Sequence, residues 1–173
     1  MLVLIISCKP VKCEPDWTYE LISIKLDSAT PSLIDGDLHI TRISRGLFAL
    51  SGSITLREDL SNDTIIYADI YYSFLGHDYI KGPLRISKTP LPKFMQTFYK
   101  DILLDSLMDC SKNTPTLELE GVITKRVLEM ENCVISNENM PSHMKNGYYK
   151  IMFAFTEQVE AMLEIIAKIE KKD

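Results

Sequence analysis

Residues 64–75 read TIIYADIYYSFL and alternate between two kinds of side chain. Every second residue from Ile66 to Phe74 lies on one face, and the residues between them, which include Asp69 and Ser73, lie on the other. A period of two residues is typical of a β-strand with one buried face. This segment therefore predicts a half-buried strand.

The preceding segment, from Gly46 to Arg57, shows the same period. Its apolar face comprises Phe48, Leu50, Ile54 and Leu56. The connection from Asp59 to Asp63 is short and polar, which is typical of a hairpin loop. The two strands are therefore predicted to pair with each other.

Six further segments have the composition and alternation of strands: Trp17–Leu26, Asp37–Ser44, Tyr79–Ile86, Leu117–Ile123, Tyr148–Phe155 and Val159–Ile169. Pro83 lacks the N–H that a central strand needs, so the third of these is predicted at a sheet edge. Residues 159–169 also show helical spacing. A strand is favoured there because the short gap after Phe155 suits a hairpin.

A single segment changes to the period of a helix. Pro90 and Pro92 suit a helix start, and apolar residues follow at helical spacing: Leu91, Phe94, Met95, Phe98 and Ile102. A helix is predicted over about 91–108, after the fifth strand. The chain is therefore predicted to be mostly β, a β-sandwich or cup of about eight antiparallel strands with one helix.

The first residues favour a secreted protein. The apolar run Leu2–Ile6 is too short to span a membrane, and it suits either a secretory signal peptide or a buried first strand. We favour a signal peptide over residues 1–13, which leaves a single domain over 14–173. Cys110 and Cys133 then remain, either as a disulfide or as two free buried thiols. The sequon at Asn62 predicts N-glycosylation.

Composition and motifs argue against several functions. The 173-residue chain has a formal net charge of −5 and no long basic cluster, so a nucleic-acid partner is not expected. His39, His77 and His143 are scattered, and no phosphate-binding loop, nucleophile elbow or Cys-x-x-Cys spacing occurs in the sequence. We therefore expect no enzyme, metal, cofactor or transmembrane segment.

Six motifs occur in an order that carries a family resemblance: Trp17–Leu21, Arg45–Gly52, Phe94–Lys100, Ser106–Ser111, Cys133–Ile135 and Gly147–Lys150. This series resembles the insect chemosensory protein B family. That family is similar to the ganglioside activator protein, one of the ML lipid-recognition domains. The resemblance extends from about Trp17 to Ile169, although this chain offers fewer disulfides than the ganglioside activator.

The resemblance implies a secreted β-cup with an apolar cavity and a role in chemical sensing, such as pheromone perception. It also implies structural importance for Cys110 and Cys133 and a strand for the last segment. The expected partners are a lipid or other hydrophobic small molecule and a chemosensory receptor. The alternative is a secreted protein-interaction module without a ligand. Inner faces of the strands and helix supply the cavity candidates: Phe48, Leu50, Ile54, Ile66, Ile70, Tyr72, Phe94, Phe98, Ile151, Phe153 and Phe155.

Overall fold

A computed structural model describes residues 14–117 and 121–173. The signal peptide predicted over 1–13 lies outside these residues, as do residues 118–120 in the predicted strand 117–123. The described residues form two antiparallel sheets and one helix. The prediction of a mostly β sandwich or cup is therefore confirmed.

Sheet A contains five strands: β1 (Trp17–Ser28), β4 (Ile65–Ser73), β5 (Ile80–Pro90), β8 (Gly147–Thr156) and β9 (Ala161–Lys171). Sheet B contains four: β2 (Ile34–Ser44), β3 (Leu47–Leu56), β6 (Ser111–Lys112) and β7 (Arg126–Cys133). The spatial order is β1-β9-β8-β4-β5 in sheet A and β2-β3-β7-β6 in sheet B. The edge position predicted for the strand with Pro83, β5, is confirmed.

The last two strands form the predicted hairpin. β8 pairs with β9, and Ile151 lies opposite Ile165. The terminal segment is thus a strand rather than a helix, and β9 also pairs with β1 on its other side.

The helix, here α1, has the predicted bounds. It consists of an α-helical turn (Leu91–Phe94), a π-helical stretch (Met95–Leu104) and a second α-helical turn (Asp105–Met108). Its first turn contacts β4 and β5 of sheet A, and its last turn contacts β6 and β7 of sheet B. The helix therefore bridges the two sheets along one edge. At the opposite edge β1 lies beside β2.

The predicted hairpin between β3 and β4 is wrong. β3 pairs with β2 and β7 in sheet B, whereas β4 pairs with β5 and β8 in sheet A. The connection between them crosses from one sheet to the other. It carries a buried residue, Leu60, whose backbone exchanges hydrogen bonds of 2.8 and 2.9 Å with Ile123. The connection therefore covers one end of the sandwich instead of turning tightly.

Strand β7 was not predicted. Its buried residues are Leu128, Met130 and Cys133, and the spacing changes from two to three because of Asn132. Asn132 adopts a left-handed φ of 55°, and its backbone N–H donates a 2.9 Å hydrogen bond to Ser51 Oγ. This irregularity hides the alternation. Within the predicted strand 117–123, Ile123 makes one isolated bridge to Leu60.

Two hydrophobic clusters hold the sheets together. The larger one extends into the middle of the sandwich from the end where β4 and α1 begin, which we call the closed end. Its most buried members at the closed end are Ile34, Leu60, Ile66, Leu91, Ile123 and Val159. The smaller cluster lies at the other end and contains Trp17, Tyr149 and Ile169. The mid-strand residues where the two clusters approach each other form the part of the interior that concerns function.

Candidate functional site

Strand register defines the inner face of sheet A. Ile70 lies opposite Ile151, and Ile151 lies opposite Ile165, so these three isoleucines form a row across β4, β8 and β9. The row is extended to β1 by Ile24, the partner of Ile165. Four β-branched apolar side chains therefore share one face at mid-strand.

Sheet B presents a corresponding face. Leu50 of β3 lies opposite Ile40 of β2 and Cys133 of β7, and Ile54 lies opposite Leu128. Leu50 and Ile54 pack against the same large cluster as Ile151 and Ile165. The apolar faces of the two sheets are therefore turned toward each other.

The central residues of these faces are not fully buried. Ile70, Ile151 and Ile165 of sheet A are partly exposed, and so are Leu50 and Ile54 of sheet B. A closely packed sandwich buries such side chains at mid-strand. The two sheets thus leave accessible apolar surface along their facing sides.

Other candidates are buried beside this surface. Ile66 is buried, and so are Phe94 and Phe153. The rings of Phe94 and Phe98 stack at a centroid distance of 5.6 Å, and Phe98 lies 5.8 Å from Phe153. Phe98 remains partly exposed, as does Phe155 at the end of β8. The helix therefore contributes aromatic surface to the same interior.

Tyr72 belongs to the smaller cluster instead. Its ring meets that of Tyr149 edge-on at 5.2 Å, and its hydroxyl donates a 2.8 Å hydrogen bond to the Asn146 carbonyl. It lies at the end opposite the closed end. All the candidates except Phe48 therefore belong to, or pack on, one of the two clusters.

Phe48 lies apart from the other candidates. It is opposite Arg42 near the β2–β3 turn and joins neither cluster. Several inner-face residues are absent from the candidate set, among them Leu38, Leu163 and Ile165. Both the alternation of β9 and its hairpin with β8 were predicted from the sequence, but the candidate set included no residue of β9.

A connecting segment crosses the end that holds Trp17. Residues 134–146, here called the strap, run from β7 in sheet B to β8 in sheet A. On one side Ser136 N donates a 3.0 Å bond to Ser106 Oγ, and Asn139 Nδ2 donates a 2.6 Å bond to the Asp101 carbonyl, both in α1. The strap therefore reaches the helix at one edge.

At the other edge the strap is bound to β1. Trp17 Nε1 donates a 2.8 Å bond to the Pro141 carbonyl, and Tyr19 donates a 2.6 Å bond to the Ile135 carbonyl. Met140 and Met144 of the strap pack against the Trp17 cluster. The strap therefore runs across this end of the sandwich from α1 to β1.

A contact between the side chains of His143 and Asp16 adds to this attachment. His143 Nδ1 lies 2.9 Å from Asp16 Oδ2, next to a backbone bond from Asp16 N to the Ser142 carbonyl. The hydrogen bond from His143 lowers the pKa of Asp16 below its ordinary value, although partial burial opposes this. The pair is partly exposed, so its contribution is small and depends on salt.

The predicted disulfide is present. Cys110 follows α1 and is bonded to Cys133 at the end of β7, with a Cα–Cα distance of 5.2 Å. Cys133 is fully buried. The alternative of two free thiols is therefore excluded, and the bond ties the helix to sheet B.

Two surface concavities lie elsewhere. One, of about 510 Å³, is at the end of sheet A where β8 turns into β9, and among the candidates only Phe155 lines it. The other, of about 560 Å³, is lined by Asp109 and Cys110 after α1 and by residues of β6 and β7. Neither contains the row of isoleucines.

Exposed apolar residues gather at one hairpin tip. Phe74 and Leu75 follow β4, and Ile80 begins β5; their exposed fractions are 71%, 65% and 74%. Large apolar side chains grouped in this way are typical of contact surfaces. The tip lies at the strap end of sheet A.

Within residues 14–117 and 121–173, no three His, Cys, Asp or Glu side chains are grouped as metal ligands. No helix in this part of the chain is long and apolar enough to cross a membrane.

Comparison with known proteins adds no assignment. The chain matches no protein-family model, and a search of curated proteins gives no match. The resemblance to the chemosensory protein B family therefore stays a prediction.

Proposed function

We propose that this protein is a secreted, non-catalytic carrier that binds a lipid or another hydrophobic small molecule between its two sheets. The supporting observation is the partial exposure of the mid-strand row Ile70, Ile151 and Ile165, which faces Leu50 and Ile54 of sheet B. Apolar surface left accessible inside a fold is stabilised by an apolar ligand.

The chemistry of these side chains favours a hydrocarbon chain. The central positions are aliphatic, with aromatic rings from Phe98 and Phe153 beside them. Each buried methylene contributes about 0.8 kcal/mol, so about ten methylenes supply about 8 kcal/mol before the cost of association. A longer acyl or alkyl chain, of about sixteen methylenes, supplies about 13 kcal/mol. After an association cost of about 5 kcal/mol, about 8 kcal/mol remains, which corresponds to micromolar affinity.

Secretion and sensing rest on different grounds. The Cys110–Cys133 disulfide supports an oxidising compartment, because such bonds are rare in cytosolic proteins. A role in pheromone perception, with a chemosensory receptor as partner, rests on the family resemblance alone.

The carrier is tested with purified protein. Organic extraction followed by mass spectrometry should recover a hydrophobic compound, and a fluorescent fatty acid should bind with a saturable signal that an unlabelled fatty acid displaces. Protein that yields no compound and takes up no probe would contradict the proposal.

A second candidate is a protein-interaction module without a ligand. The exposed tip formed by Phe74, Leu75 and Ile80 favours it, because it offers apolar surface outside the interior. Replacing Phe74 and Leu75 by serine separates the two functions. A carrier keeps its fatty-acid affinity in this variant, whereas an interaction module loses its receptor binding and shows no probe uptake before or after the change.

A further inference from the structure

The sequon around Asn62 has two parts in opposite environments. Asn62 is exposed at a turn between Ser61 and Thr64. Thr64, the hydroxyl residue that completes the sequon, is 0% exposed. An acceptor site needs the hydroxyl residue as well as the asparagine. A transferase must therefore reach Thr64 as well as the exposed Asn62.

Thr64 is held by contacts from distant parts of the chain. Its hydroxyl donates a 2.9 Å bond to Gln158 Oε1, a residue 94 positions later. Its carbonyl accepts a 2.9 Å bond from Leu91 N at the start of α1. Both partners arrive only when β4, α1 and the β8–β9 connection have come together.

Gln158 fixes the whole turn. Its Oε1 also accepts a 2.9 Å bond from Ser61 N, and its Nε2 donates a 2.7 Å bond to the Asp59 carbonyl. Three residues of the turn are thus bonded to one side chain. Exposing the Thr64 hydroxyl to an enzyme requires its bond to Gln158 to break, and the other two bonds hold Gln158 in place against the turn.

We propose that Asn62 is glycosylated, and that it accepts the glycan only before Gln158 docks onto the turn. This inference rests on the proposed secretion. In the transfer, Asn62 Nδ2 forms a bond to the anomeric carbon of a lipid-pyrophosphate-linked oligosaccharide. The carbon–oxygen bond to the pyrophosphate breaks, the lipid pyrophosphate leaves with the electron pair, and a proton from Nδ2 passes to a base of the transferase.

The position of the glycan has a consequence for function. The turn lies at the closed end, next to Leu60 and opposite the strap. A glycan at Asn62 therefore leaves the strap and the Phe74 tip uncovered.

The test in cells uses the full chain behind a cleavable secretory leader. Wild type should carry one glycan that an endoglycosidase removes with a shift in mobility. Asn62→Gln and Thr64→Val should both lack it, and Thr64→Ser, which keeps the hydroxyl, should retain it. Wild type without a glycan would overturn the inference. Because the leader is supplied, failure of the native residues 1–13 to direct secretion would count against the proposed function alone.

The test of timing uses unglycosylated chain, detergent-solubilised transferase and the lipid-linked oligosaccharide. The chain is offered either folded with its disulfide or reduced, alkylated and unfolded. The unfolded chain should be modified at least tenfold faster than the folded one. Equal rates, or no transfer to the unfolded chain, would overturn the proposal.

Discussion

Cys110, two residues after the end of α1, is covalently bonded to Cys133, the last residue of β7. The bond fixes the end of the helix to the strand from which the strap begins. It therefore joins three features that border the interior: the helix, sheet B and the strap.

Replacing Cys110 and Cys133 together by alanine should lower the free energy of unfolding by about 3 kcal/mol, because the bond closes a loop with a sequence separation of 23. Urea unfolding followed by circular dichroism measures the change. Wild type treated with a reductant should shift in the same direction. A midpoint that reduction leaves unchanged would contradict this account.

Filling the interior should weaken ligand binding. Ile165 lies on the inner face opposite Ile151, and its neighbour Ile166 points to the other face opposite Lys150. Ile165→Phe should reduce fatty-acid affinity about tenfold, a loss of about 1.4 kcal/mol, whereas Ile166→Phe should leave it unchanged. Both residues are partly exposed, so they form a matched pair. Equal effects of the two substitutions would argue against an interior site.

The closed end should be the most sensitive part of the core. Leu91 is 2% exposed, and truncation to alanine should cost about 2–5 kcal/mol by loss of burial and creation of a cavity. Leu84→Ala, at a position 41% exposed on β5, should change stability by about 0.5 kcal/mol or less. Chemical denaturation measures the free energy of unfolding of both variants. Equal losses of stability in the two variants would contradict the placement of Leu91 in the core and of Leu84 at the surface.

The Asp16–His143 pair should make stability depend on acid pH. The pKa of Asp16 is lowered from 3.8 in the folded protein, so the unfolded state binds its proton first as pH falls. The stabilisation is therefore complete above about pH 5 and is lost as pH falls below 3.8 through the folded-state pKa. Unfolding free energies between pH 7 and pH 2 measure it.

Asp16→Asn should show a smaller loss of stability over that acid range than wild type. His143→Gln should reduce the loss as well, because the hydrogen bond from His143 is the largest cause of the shift. Identical pH profiles of stability for all three proteins would show that the contact between Asp16 and His143 does not help to hold the strap.

Local patterns in the chain were enough to predict most strands and the bounds of α1. The alternation of residues 64–75 identifies β4 and its faces, because side chains point to opposite sides of any strand whatever its partners. The helical spacing after Pro90 identifies α1 for the same local reason. These features depend on neighbours in sequence, so they needed no tertiary information.

Tertiary structure decided strand pairing and the exposure of the inner faces. β3 and β4 are consecutive, yet they lie in different sheets, and the connection between them buries Leu60 at the closed end. β7 was hidden by the left-handed Asn132, whose position depends on Ser51 in another strand. Strand pairing and burial depend on contacts between residues far apart in sequence. The local periodicity of side chains contains no information about which distant residues make those contacts.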